Sequence, residues 1–121
     1  MTNLNFPSTS YNSLCRNFPN SGERKFAYAT TIETIANPAG ELFFVIRHHG
    51  STIGVVGKTD VSVGNAGWAS RTTIHRIHRI LTDNATGFGT CIQKGQAKFI
   101  DFATDELTDM PYNEFVTYPT N

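Results

Sequence analysis

Cysteine is scarce in this chain and poorly placed for metal or covalent chemistry. Cys15 and Cys91 are the only two; far apart and without a CxxC, they predict neither a zinc knuckle nor a disulfide framework, and both read as reduced thiols. Hydrophobic runs are short as well. No stretch approaches the roughly 18 to 20 apolar residues that span a bilayer, and the opening MTNLNFPSTSYN has neither the basic n-region nor the apolar h-region of a signal peptide. A soluble, intracellular protein with no membrane partner is the expectation. Catalytic signatures are missing too: the glycines form neither a P-loop nor a GxGxxG, and no serine sits in a GxSxG elbow. The four histidines fall as His48-His49 and as His75 and His78, with no carboxylate or cysteine at a supporting spacing, so neither a metal nor a cofactor is expected. These absences leave a non-enzymatic protein.

Charge is low, 17% of residues with a formal net charge of zero, but it is unevenly spread. All ten basic residues lie at or before Lys98, against five acidic ones, and from residue 99 onward there are five acidic residues and no basic one. Either the acidic tail is merely solvated, or it folds back over the basic part of its own chain, or it docks on a neighbouring copy to give a homo-oligomer.

What is present suits one domain: 121 residues, 39% of them hydrophobic, supply a single modest core. Residues 1–24, rich in Asn, Ser and Pro, read as an irregular N-terminal arm. Residues 25–102 read as an α+β domain, and 103–121 as the acidic C-terminal tail. Within the domain, KFAYATTIETIA alternates like a strand, NPAG supplies a hairpin turn, and ELFFVIRHH is its antiparallel partner. STIGVV, TDVSVG, TCIQ and AKFIDF follow as short strands around one helix, RTTIHRIHRIL, which Ser70 is placed to cap. The predicted architecture is a mainly antiparallel sheet of about six strands with one short amphipathic helix on one face.

That helix carries the candidate site. Ile74, Ile77, Ile80 and Leu81 share an arc of roughly 120°, a core-facing stripe. Arg71, His75 and Arg79, spaced i, i+4, i+8, form a row on the other side, with Arg76 and His78 flanking it. Arg71 stands in the first turn, where the helix dipole disfavours a cation by about 0.3 to 1 kcal/mol, a placement suited to an anion arriving there. Trp68 lies just upstream for stacking, and Arg47 extends the patch if its strand end reaches the helix. A solvated polar face is the bland reading of the same residues.

The segment TDVSVGNAGWASRTTIHRIHRIL, through Thr59, Asp60, Val61, Gly67, Trp68, Thr72, Thr73, Arg76 and Ile77, resembles a family of small tailed-bacteriophage proteins of uncharacterised function. The resemblance spans residues 43–82 and implies a viral accessory protein, with no catalytic residues to carry over. The function expected is a phage-encoded binding protein in the host cytoplasm, its basic helix face contacting nucleic acid or an acidic host protein surface. The alternatives are an inhibitor of a host enzyme or defence protein, and a decoration or tail-associated subunit of the virion.

Overall fold

The computed structural model describes residues 6–67 and 70–120. Ser10 accepts the Ser13 N–H and starts a helix of about two turns, Tyr11–Asn17 (α1), whose Leu14 is buried. The arm predicted as irregular therefore contains a capped helix. Five strands follow as a meander: Gly22–Ala27 (β1), Thr30–Ala36 (β2), Leu42–His48 (β3), Ser51–Val56 (β4) and Asp60–Val63 (β5). The long helix is Arg71–Asp83 (α2), capped by the Ser70 side chain accepting Thr73 N–H. After it come Phe88–Gln93 (β6), Gln96–Asp101 (β7), Glu106–Asp109 (β8) and Val116–Pro119 (β9).

The strands form a six-stranded sheet in the order β1-β2-β3-β4-β5-β9 and a three-stranded sheet β6-β7-β8, with every pairing antiparallel. The α+β class read from the sequence is the class observed, with nine strands among the described residues where about six were expected. Two of the additions lie beyond residue 102. There β8 extends the small sheet, and β9 pairs along β5, Val61 opposite Tyr118. The segment expected as one strand, 25–36, is instead a hairpin that turns at Tyr28 and Ala29. Ala29 sits at φ 52°, left-handed backbone that is uncommon for alanine and that the flanking strand pairing holds here.

Strand alternation decides which side is core. Ile32 and Thr34 of β2, Phe44, Ile46 and His48 of β3, and Val61 and Val63 of β5 face inward, while Thr31, Glu33, Val45 and Arg47 occupy the other parity. α2 lays Ile74, Ile77, Ile80 and Leu81 on this inner face, all essentially solvent-free. Close approach is needed at Gly54, where a Cβ would come within 2.7 Å of Ile80 Cδ1.

The arm docks across the end of the helix rather than trailing from it. Thr9 donates through both its N–H (2.8 Å) and its hydroxyl (2.9 Å) to Asp83, while Tyr11 N–H donates to Asn84 Oδ1 and Asn84 Nδ2 donates to Thr9 O. The side chain that caps α2 at its C-terminus is thereby the arm's anchor.

Candidate functional site

The polar side of α2 divides into two halves. With Ile74 set at zero and 100° per residue, Arg71, His75 and His78 fall at about 60°, 100° and 40°, and Arg79 and Arg76 at about 140° and 200°. The first three turn toward β6; the other two turn toward the arm.

On the arm side, Phe6 fills the space over the guanidiniums, with Arg76 Cζ 4.5 Å and Arg79 Cζ 5.2 Å from its ring centroid. Arg79 Nη2 also donates to Phe6 O (3.3 Å) and to Asp83 Oδ2 (3.4 Å). Arg76 is 8% exposed. It donates from Nη2 to Tyr28 O at 3.4 Å, its Nε has no partner, and no carboxylate among the described residues pairs with it. Burial, followed by neighbouring Arg79, pulls its pKa below that of an ordinary guanidinium. These two arginines hold the arm.

On the β6 side lies a cleft of about 360 Å³ lined by Arg71, Ile74, His75, His78, Thr90, Cys91 and Ile92. Arg71 and His75 are exposed, and neither side chain makes a hydrogen bond or ion pair among the described residues. His78 is fixed: its Nδ1 accepts the Thr90 N–H at 2.9 Å, so a neutral ring carries its proton on Nε2. Thr90 Oγ1 in turn donates to Ile74 O. No carboxylate contributes to the walls. The contribution of Thr90, Cys91 and Ile92 is not evident from the helix pattern; the available signal is Gly89, since a glycine inside a strand marks close approach by another group.

The remaining candidates lie apart. Arg47 is on the opposite sheet face, where Nη1 pairs with Glu33 Oε1 (2.9 Å) and Glu23 Oε2 (3.2 Å). Trp68 lies outside the described residues. Nor does the acidic tail neutralise the helix: Asp109 pairs with Lys98, and none of the described tail carboxylates pairs with an arginine of α2. Both cysteines are free, and among the described residues no group of three or more His, Cys, Asp or Glu is arranged to hold a metal. No described helix is long and apolar enough to cross a membrane.

Two imidazoles are withdrawn from solvent, His48 fully and His78 partly, and neither forms an ion pair with a carboxylate among the described residues. His48 is 4% exposed, and since Thr30 Oγ1 gives its proton to Tyr28 O, it accepts from His48 Nδ1 at 3.0 Å. Burial first, then His49 and Arg76, lower the His48 pKa; burial first, then His75, lower that of His78. A folded-state pKa below the usual imidazole value of about 6.5 means that the unfolded chain takes up protons first. Stability is therefore full above that value and is lost as pH falls through it toward the folded pKa. Melting temperature is expected to be lower near pH 5.5 than near pH 7.5, with a smaller drop in a variant carrying His48→Gln and His78→Gln.

A family model described as Kyanoviridae Gp96 protein matches residues 10–119. No curated protein and no solved structure matches the chain. The match runs from the start of α1 to the end of β9 and takes in the whole cleft; the chain belongs to the Kyanoviridae Gp96 family, a family of bacteriophage proteins.

Proposed function

We propose that this phage protein is a non-enzymatic binding protein whose α2–β6 cleft takes a carboxylate-bearing surface of a protein partner, acting in the host cytoplasm. The observation behind it is a cleft with Arg71 and His75 exposed, a fixed His78 in its wall and no carboxylate lining it. A permanent cation beside polar N–H donors and apolar Ile74 and Ile92 suits a side-chain carboxylate.

Magnitudes favour protein over nucleic acid. A binder that neutralises Z phosphates loses affinity with a log–log salt slope of about −0.9Z, and the strongly salt-dependent case corresponds to about 6 to 10 such contacts. With Arg76 and Arg79 held by Phe6, this face offers far fewer. The test is a pull-down from host lysate beside an oligonucleotide mobility shift at low salt. A stoichiometric partner retained by the wild type and lost with Arg71→Glu is expected, with no Arg71-dependent shift of DNA or RNA. A salt-sensitive oligonucleotide complex abolished by Arg71→Ala would replace this reading with nucleic-acid binding.

A further inference from the structure

We infer that one carboxylate source for this cleft is a second copy of the chain, joined through an isologous dimer. The inference rests on the proposed reading of the cleft as a carboxylate site and names an occupant for it. It follows from how charge is laid out along the small sheet beside α2.

β6 runs antiparallel to the helix. Thr90 meets His78 and Ile74, and Ile92 shares the cleft with Arg71. The β6–β7 turn, with exposed Lys94, therefore lies toward the Arg71 end. At the other end of β7 the chain passes through exposed Phe102, whose ring stands edge-on to His78 at 6.3 Å. It then reaches the turn 103–105 and the start of β8. Asp105 and Glu106 are exposed there and form no ion pair among the described residues. The six residues of β7 separate the two turns by about 20 Å.

Along the β6–β7 hairpin the exposed charges thus run from Arg71 and Lys94 at one end, past His75 and His78, to Asp105 and Glu106 at the other. A positive end and a negative end in that order are self-complementary under a two-fold axis through the middle. One copy's Asp105 and Glu106 meet the other's Arg71 and Lys94, twice per dimer, while the half-exposed Phe102 beside His78 loses water. The acid-rich end of the sequence and its basic helix then neutralise each other between chains, since they do not do so within one.

Sedimentation equilibrium on the full chain tests this, with all four charged residues exposed so that circular dichroism confirms an unchanged fold. At low salt the wild type is expected as a dimer that dissociates as salt rises. Arg71→Glu with Lys94→Glu, and separately Asp105→Arg with Glu106→Arg, are each expected to weaken dimerisation at least about tenfold, or about 1.4 kcal/mol. Mixing the two variants is expected to restore a dimer, because both sets of contacts are then attractive. A wild type that is monomeric at every salt concentration, or a mixture that stays monomeric, overturns the dimer. In that case an Arg71-dependent host partner in the pull-down leaves the proposed function standing, and its absence removes both.

Discussion

Phe6→Ala is expected to lower the unfolding free energy by about 3 to 5 kcal/mol, the range for truncating a buried phenylalanine. The ring is 4% exposed and packs edge-on against Phe26 at 5.4 Å as well as on the two guanidiniums. Chemical denaturation gives the total; hydrogen exchange gives its location. The Thr9 amide, bound to Asp83, is expected to lose protection well before the amides that face the Ile77 and Ile80 core. A loss below about 1 kcal/mol would mean that the arm is not docked in solution.

The same site separates apolar burial from ring electrostatics. Phe6→Leu keeps most of the buried carbon and removes two cation–π contacts, so its cost is expected at about 0.5 to 2 kcal/mol. Arg76 is the more dependent of the two arginines, because Arg79 has Asp83 and Arg76 has no carboxylate. In an Arg76→Met background, where a flexible apolar chain replaces the buried cation, the cost of Phe6→Leu is expected to shrink. An unchanged cost would assign the contact to packing alone.

Local signals in the sequence reached as far as single elements. The helix start was legible because Ser70 sits where a cap belongs and the isoleucines that follow recur with helical period. The alternation of the segment that holds β2 was legible for the same kind of reason. The division of α2's arginines was not, because it depends on what packs beside the helix. Thr9 and Asp83 are 74 residues apart in the chain, and no periodicity reports a contact at that range. Arg71, His75 and Arg79 share a row on a helical wheel, yet β6 approaches one flank and Phe6 the other. The β1–β2 turn carries no local signal, because Tyr28 and Ala29 lack the glycine or asparagine that usually marks left-handed backbone. In the tail, acidity concealed two strands: β8 and β9 are four residues each, too short for alternation to outweigh their charge and turn content.

Gly89 is where the cleft's architecture can be broken with one methyl group. A Cβ there would lie 2.5 Å from Phe102 Cζ, 2.7 Å from His78 Cε1 and 2.8 Å from His78 Nδ1, all well inside van der Waals contact. Phe102 is half exposed and can swing outward. His78 is less free, because its Nδ1 accepts Thr90 N–H and the ring is partly buried between α2 and β6. Gly89→Ala is therefore expected to cost about 1 to 3 kcal/mol as overpacking, to break the His78–Thr90 bond, and to return the His78 titration toward the usual imidazole range as the ring moves into water. Gly87→Ala is the control: Gly87 sits at φ +80° with open space around its Cβ position, so its penalty is backbone strain of about 1 kcal/mol and the His78 titration stays where it was. If Gly89→Ala changes neither stability nor that titration, the His78 ring does not rest on β6 in solution, and the cleft loses the wall that orients its donors.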